Sequence, residues 1–188
     1  MPSSPLMSSE DFYARLTTEY DRMVNWESRL SREVPALCGL IDRWGAKRIV
    51  DVGCGAGDHC LALAERGYEV IGLDTSARMI RKARGRVNSL RVHEVLPSIP
   101  KFYTGILSDH MNEIYQSDMI LCIGNTFPHI LDPADQRSFV TTCQPLLPEG
   151  GKVLLQLRNY AHLAKGEHYD FPVSHRRLGK IEIGRAHV

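Results

Sequence analysis

Three closely spaced glycines follow a short apolar run in the first half of the chain. The segment from Arg48 to Asp58 reads RIVDVGCGAGD, and its spacing predicts that Gly53, Gly55 and Gly57 form a tight turn between a strand and a helix. Glycine has no Cβ atom, so the backbone of such a turn can approach a ligand closely. The segment therefore predicts a binding loop for a small molecule.

Two carboxylates accompany this loop. Asp74 ends the second predicted strand, where a carboxylate can accept hydrogen bonds from ribose hydroxyls. Asp51 lies inside the first strand, and its hydrogen bonds either face the ligand or serve structure alone. Met79, in the helix after Asp74, packs either on an adenine face or in the core. Together the loop and Asp74 favour a ribose-bearing ligand.

Asp58 distinguishes between ligand classes. It occupies the position at which a dinucleotide-binding fingerprint carries its third glycine. An acidic residue at a helix N-terminus stabilises the helix but repels a pyrophosphate placed there. A nicotinamide oxidoreductase is therefore the disfavoured alternative.

The elements that must position these residues alternate along the chain. From Arg48 onward, β-branched runs alternate with amphipathic segments, which predicts an α/β fold with a mostly parallel sheet covered by helices on both faces. Apolar positions from Asp11 to Trp44 predict two or three earlier helices, interrupted near Pro35. We predict strands at residues 48–53, 68–73, 102–106, 118–123 and 152–157, and helices at 58–66, 76–85, 109–115 and 133–146.

Length and composition predict one domain. Residues 1–10 are rich in Ser and Pro and are expected to be a disordered tail, followed by a single domain at 11–181. The codon string GAG ATC GGA AGA GCA CAC GTC would encode residues 182–188 and resembles a common sequencing adapter, so we interpret these residues as an artefact rather than as a natural strand-and-loop ending.

Charge limits the classes of partner that are expected, and cysteine content indicates the compartment. The chain has 23 basic and 22 acidic residues, which favours a small-molecule substrate over nucleic acid or a membrane surface. The basic helix around Arg81 is interpreted as a solvated face rather than an RNA-binding surface.

Five cysteines without a C-x-x-C pair are expected to be reduced, and the N-terminus does not resemble a signal peptide, so the cytoplasm is the expected compartment. The sequence leaves the oligomeric state open.

These motifs resemble those of class I S-adenosylmethionine-dependent methyltransferases. Residues 50–57, VDVGCGAG, resemble the first motif of that class, and residues 118–130, DMILCIGNTFPHI, resemble the fourth. Within the class, residues 124–129 and 157–160 are similar to the glycine and sarcosine N-methyltransferase branch. The resemblance extends from about Asp11 to about Arg177 and implies a Rossmann-like fold with S-adenosylmethionine as cofactor.

The resemblance also implies roles for individual residues. Gly53 and Asp74 would contact the cofactor, Ile106 and Leu107 would flank its adenine, and Ile123 would line the methyl-donor pocket. Asp51, Gly55, Gly57 and Met79, singled out above, are expected at the same cofactor site. Tyr20 and Arg29 would contact its methionine part. Asn125 and Arg158 would face the substrate, and His129 would cap the pocket.

The substrate is less constrained than the cofactor. Arg158 could hold an amino-acid carboxylate with its planar guanidinium, whereas a surface ion pair is its structural alternative. Asn125 could instead be a turn former, and His129 either a base or a stacked helix-start residue. Ile106 stands where many relatives have an acidic residue, and Ala161 where the branch often has one. The acceptor is thus expected to be a glycine-like amine; the alternatives are another small acid or phenol, or cofactor binding without turnover.

The resemblance further implies two strands beyond the fifth. The chain is therefore predicted to lack C-terminal strands, so that Val153, Leu155 and Leu157 on its fifth strand are exposed.

Overall fold

A computed structural model of the chain describes residues 25–93 and 96–157. One sheet of five parallel strands forms its centre, with the spatial order β3-β2-β1-β4-β5. The strands are β1 (Arg48–Val52), β2 (Glu69–Asp74), β3 (Lys101–Thr104), β4 (Met119–Cys122) and β5 (Lys152–Leu155). Because parallel strands must be joined by crossovers, helices separate them in sequence.

Five α-helices and two short 3₁₀ helices are found in the described part of the chain. The α-helices are α1 (Trp26–Arg43), α2 (Asp58–Ala64), α3 (Ala77–His93), α4 (Met111–Ile114) and α5 (Pro133–Leu146). The 3₁₀ helices span Leu107–His110 and Phe127–His129. No helix among these residues is long and apolar enough to cross a membrane.

Alternating side chains of the central strands supply two cores, one on each face of the sheet. Ile49 of β1 packs with apolar residues of α1, α2 and α3. Its neighbour Val50 packs on the other face with residues of α4 and α5. Successive strand side chains point to opposite faces, which explains why all four residues of β4 are buried. The predicted α/β fold class is therefore confirmed.

Helix α1 corrects the predicted interruption near Pro35. The helix begins after Asn25, whose Oδ1 accepts a hydrogen bond from the Ser28 N–H at 3.1 Å, and runs through Pro35 to Arg43. Val34, Leu37 and Ile41 bury one stripe of this helix in the core. Tertiary packing of that stripe outweighs the hydrogen bond that proline removes. One described helix thus precedes β1, and residues 1–24 lie outside the description.

Other predicted elements lie where expected, with shifted boundaries. The helix predicted at 76–85 continues to His93, because Val87 is buried beyond Gly85. The helix predicted at 109–115 is a 3₁₀ turn followed by the four residues of α4. The strand predicted at 102–106 ends at Thr104, before Gly105.

The fifth strand departs in part from the predicted exposure. Val153 is 42% exposed and Leu157 50% exposed, as expected for an edge. Leu155 instead packs against the core that contains Val50, so its predicted exposure is wrong. Val153 lies two residues earlier on the same face as Leu155, whereas Leu154 packs on the opposite face against the core that contains Ile49. The predicted tail 1–10 and the segment 182–188 lie outside the described residues.

Candidate active site

The glycine loop leaves β1 in a left-handed conformation at all three glycines. The φ values are 77° at Gly53, 57° at Gly55 and 80° at Gly57. Residues that have a Cβ atom rarely adopt such backbone angles. The N–H groups of Gly53 and Cys54 donate to the Leu73 carbonyl at 2.7 and 3.0 Å. The carboxyl end of β2 therefore fixes the start of the loop.

Each glycine faces different surroundings. A Cβ on Gly53 would lie 2.3 Å from Thr126 Cγ2, and one on Gly57 would lie 2.7 Å from Phe102 Cζ. A Cβ on Gly55 would have no atom within 4 Å. Packing requires the first and third glycines, whereas the second presents its backbone to open space.

Asp74 supports this loop from the adjacent strand. Its Oδ2 accepts a hydrogen bond from the Gly55 N–H at 2.9 Å, and its Oδ1 accepts one from Ser76 at 2.8 Å. A carboxylate offers about four acceptor positions, so both oxygens retain capacity for hydroxyl donors. The geometry is compatible with ribose recognition and adds a second role, because Asp74 also orders the loop.

Asp51 places a buried carboxylate beneath the loop. It is 2% exposed, and its Oδ2 lies 3.5 Å from the Cys60 thiol. Its Oδ1 is buried and has no hydrogen-bond partner among the described residues. Burial raises the pKa of Asp51, although the nearby His59 opposes that rise. An unpaired buried acceptor is costly, so a donor on a ligand would be favoured at this position.

Helix α1 places the cation Arg29 near the Asp51 carboxylate. Arg29 lies 5.1 Å above the ring centroid of Trp26, and its Nε donates to Glu33 Oε2 at 2.9 Å. That oxygen also lies 2.7 Å from Nε2 of His59. Burial would raise the pKa of Glu33, but the hydrogen bonds from His59 and Arg29 outweigh it and lower the pKa. Glu33 is therefore an anion at neutral pH.

The loop after β4 also lines the cleft that Arg29, Asp51 and the glycine loop border. Gly124 and Asn125 have φ values of 72° and 67°, so the chain turns sharply at the end of the strand. The Gly124 N–H donates to Oε1 of Gln156 at 2.8 Å, and the Thr126 hydroxyl donates to the Ile123 carbonyl at 2.8 Å. Asn125 is half-buried, and His129 is exposed on the 3₁₀ helix that follows.

These elements converge on one cleft at the carboxyl ends of β1 and β4. The residues lining it are Trp26, Arg29, Asp51, Gly53, Cys54, Gly55, Ala56, His59, Ile123, Gly124 and Thr126. The chain order reverses between β1 and β4, and open α/β sheets bind ligands at such a switch point. One acid, one cation and a glycine cradle suit a ligand that has both an ammonium and a carboxylate. They therefore fit the amino-acid part of S-adenosylmethionine.

Five residues predicted from sequence line this cleft: Arg29, Asp51, Gly53, Gly55 and Ile123. Asp74 borders it, Gly57 packs behind the loop, and Met79 is half-buried on α3. Ile106 is 53% exposed, whereas the Leu107 side chain is 3% exposed and packs in the core. Tyr20 and Arg158 lie outside the described residues. The functional roles predicted for all these residues remain proposals.

Sequence reasoning did not single out His59, Glu33 or Thr126. A histidine in the first turn of the helix after a glycine loop was the available signal for His59. The spacing of Arg29 and Glu33 by one helical turn was available for the ion pair. No sequence signal placed Thr126 against Gly53, because that contact depends on the β1–β4 pairing.

Asp58 has a different electrostatic environment from that assumed in the sequence argument. It is 5% exposed, and its Oδ1 lies 2.8 Å from Nη1 of Arg86, which also donates to the Ala56 carbonyl at 3.1 Å. Arg86 offsets the negative charge, so repulsion of a pyrophosphate by Asp58 is weaker than expected. The same contact anchors α3 to the glycine loop.

A second groove, of about 420 Å³, lies at the amino ends of β1 and β2. Asp42, Lys47, Arg66 and Tyr68 are among its lining residues, and the Tyr68 hydroxyl donates to Asp42 Oδ1 at 2.6 Å. Ligands of parallel sheets collect at the carboxyl ends of the strands, which favours the glycine-loop cleft despite the larger volume of this groove.

Comparison with known proteins yields a family match. Residues 49–151 match the family model described as a methyltransferase domain, and this span contains the glycine loop, β1 from its second residue onward, and β2 to β4. A solved S-adenosylmethionine-dependent methyltransferase from Clostridium acetobutylicum superposes with a TM-score of 0.61 at 17% identity, covering 87% of this chain and 65% of that one. This likeness shows a shared fold.

Two similar sequences are glycine/sarcosine N-methyltransferases. That of Parasynechococcus marenigrum is 28% identical over 95% of this chain and 62% of its own length. That of Aphanothece halophytica is 30% identical over 76% of this chain and 52% of its own length. The chain thus spans between about half and two thirds of the length of these curated relatives.

Proposed function

The chain belongs to the methyltransferase domain family, within the class I S-adenosylmethionine-dependent methyltransferases, and from this premise we propose that it transfers the cofactor's methyl group to a small molecule. The observation that carries the proposal is the cleft in which Asp51, Arg29 and the glycine loop meet at the switch point of the sheet.

Each residue of the cleft is assigned to one part of the cofactor. Arg29 holds the methionine carboxylate, and Oδ1 of Asp51, which has no partner among the described residues, accepts a hydrogen bond from the ammonium. The open backbone at Gly55 lies against the ligand, and Asp74 accepts hydrogen bonds from the ribose hydroxyls. Ile106 lies near the adenine. An acidic and a basic side chain in one cleft explain why a zwitterionic ligand is favoured over a neutral nucleoside.

When bound, the cofactor supplies a sulfonium methyl group that is already electrophilic. The protein's task is then to hold the acceptor in line at close range and to exclude water. Asn125 lies at the end of β4, beside the cleft residues Gly124 and Thr126. We assign Asn125 to the acceptor, with Arg158 as the carboxylate clamp and His129 as the cap.

We further propose that the acceptor is the amine of a glycine-like amino acid. The names of the two relatives support this substrate class. The second candidate is another small acid or phenol, and the third is a module that binds the cofactor without turnover.

Two measurements test the proposal in order. Calorimetric titration of the 188-residue chain with S-adenosylhomocysteine tests the cofactor site, and we expect saturable one-to-one binding. Transfer of labelled methyl groups is then measured with glycine, sarcosine, other small amines, acids and phenols. Highest activity with glycine or sarcosine is expected; activity with phenols alone would exclude the amine assignment, and binding without any transfer would favour the non-catalytic module.

A further inference from the structure

One carboxylate on α1 connects two elements that border the cleft. Glu33 Oε2 lies 2.9 Å from Arg29 Nε and 2.7 Å from His59 Nε2. Arg29 stands one turn earlier on α1, whereas His59 stands in the first turn of α2, directly after the glycine loop. Glu33 therefore couples α1 to the helix that carries the loop.

Arg29 extends from this contact toward the loop after β4. Its side chain is 18% exposed, and its guanidinium lies over the Trp26 ring. A Cβ on Gly124 would lie 3.1 Å from Arg29 Nη2. The Nε end of the guanidinium is thus held by Glu33, while a terminal nitrogen reaches the wall of the cleft at Gly124.

His59 fixes the carboxylate from the other side. It is 6% exposed, and its ring stands edge-on to Trp26, with centroids 6.0 Å apart and an interplanar angle of 80°. Because Glu33 is ionised and can only accept, the proton of this hydrogen bond belongs to Nε2 of His59. Packing of the imidazole therefore limits the positions open to Glu33.

An arginine that is already held loses less freedom when a ligand binds. Its long side chain has many rotamers, and a planar guanidinium recognises a carboxylate best when both are oriented in advance. Without Glu33, the guanidinium would be free to turn toward the buried carboxylate of Asp51. Burial raises the pKa of Asp51, and the positive charge of Arg29 opposes that rise.

We propose that Glu33 is a positioning residue that, together with His59, holds the Arg29 guanidinium at Gly124 for the carboxylate of the bound ligand. The assignment rests on the proposed function, in which that carboxylate belongs to the methionine part of the cofactor. Glu33 acts through Arg29 and does not itself contact the ligand.

Two probes separate this role from a general contribution to folding. S-adenosylhomocysteine contains the amino-acid part, whereas 5′-methylthioadenosine contains the nucleoside and the thioether without it. We expect Glu33→Gln, which retains the shape of the side chain, to weaken S-adenosylhomocysteine binding by about 3- to 10-fold. Binding of 5′-methylthioadenosine should equal that of the wild type, as measured by calorimetry on the full chain.

Glu27→Gln is the matched control, because Glu27 is an exposed glutamate in the first turn of the same helix. It should bind both probes like the wild type. Adding Glu33→Gln to Arg29→Ala should cause no further loss of S-adenosylhomocysteine affinity, since the two residues act as one unit.

The remaining outcomes contradict specific claims. Equal losses for both probes in Glu33→Gln would assign Glu33 to the stability of α1 and overturn the positioning role. Unchanged S-adenosylhomocysteine binding in that variant, with normal binding by the wild type, would also overturn it while the proposed function stands. A wild type that binds neither probe would overturn the proposed function and this inference together.

Discussion

At the scale of single residues, the charge of Asp51 has opposite effects on the stability of the ligand-free chain and on the proposed cofactor binding. Its carboxylate is 2% exposed and its Oδ1 is unpaired among the described residues. Burial raises its pKa, so the folded chain binds a proton at Asp51 more readily than the unfolded chain does. The stability that this group contributes is present below its unfolded pKa and is lost as the pH rises through the raised folded pKa. Above that folded pKa the charged form therefore destabilises the ligand-free chain.

Asp51→Asn should consequently stabilise the ligand-free protein and weaken cofactor binding. Removing a buried charge should raise Tm by about 2 to 4 °C, equivalent to about 1 kcal/mol in a chain of this size. Loss of the charge opposite the cofactor ammonium should weaken S-adenosylhomocysteine binding by about tenfold. Calorimetric unfolding and titration of the same samples measure both effects.

Asp135→Asn provides the control, because Asp135 is an exposed carboxylate in the first turn of α5. It should leave cofactor affinity unchanged. A lower Tm in Asp51→Asn would instead show that the carboxylate stabilises the ligand-free fold through hydrogen bonds.

At the scale of elements, the glycine loop contacts the carboxyl ends of both strands that flank β1. Gly53 lies against Thr126 from the β4 loop and is hydrogen-bonded to Leu73 of β2, so one residue contacts both adjacent strand ends. Gly55 has the same left-handed backbone but open surroundings. A comparison of these two glycines separates packing from backbone conformation.

Gly53→Ala should destabilise the ligand-free chain more than Gly55→Ala does. Both variants force alanine into the left-handed region, at a cost of about 1 kcal/mol. Only the first places a Cβ 2.3 Å from Thr126 Cγ2, which should add about 1 to 3 kcal/mol of strain. Urea unfolding measures the difference, and equal losses in the two variants would show that the loop relaxes around the new methyl group.

The same two glycines should rank differently in binding. Gly55→Ala places a methyl group where the backbone is proposed to meet the ligand, so we expect it to lose most of its cofactor affinity while retaining its fold. Titration with S-adenosylhomocysteine measures this effect. A Gly55→Ala variant with wild-type affinity would move the ligand away from Gly55.

Local sequence patterns predicted most of the elements but not the contacts between them. The β-branched run before Gly53 and the apolar segment Met119–Cys122 predicted buried strands, because both faces of a parallel sheet are covered. Pro35 predicted a helix break that packing of α1 overrides. The Glu33–His59 contact joins helices distant in sequence and depends on how α1 packs on α2. Such a contact has no local signature.

At the scale of the whole molecule, the two faces of the sheet are covered but its edges differ. Within residues 25–93 and 96–157, β5 pairs with β4 on one side, and β3 forms the other edge. Val153 of β5 is 42% exposed, and Leu157 just beyond the strand is 50% exposed. An edge with exposed apolar side chains can pair with another chain, and natural proteins often prevent this with an edge lysine.

We therefore predict that the exposed apolar side chain of Val153 promotes association between chains and that Val153→Lys reduces this association. Val153 is exposed enough for a lysine at this position to extend its ammonium into solvent, so the free energy of unfolding should change by no more than about 0.5 kcal/mol. Val140→Lys is the matched control, because Val140 is 54% exposed on α5 rather than on a strand edge. Sedimentation velocity over a range of concentrations should show a larger monomer fraction for Val153→Lys alone. Equal solubilisation by both lysines would indicate a general effect of charge, and a wild type that is monomeric at every concentration would contradict association through this edge.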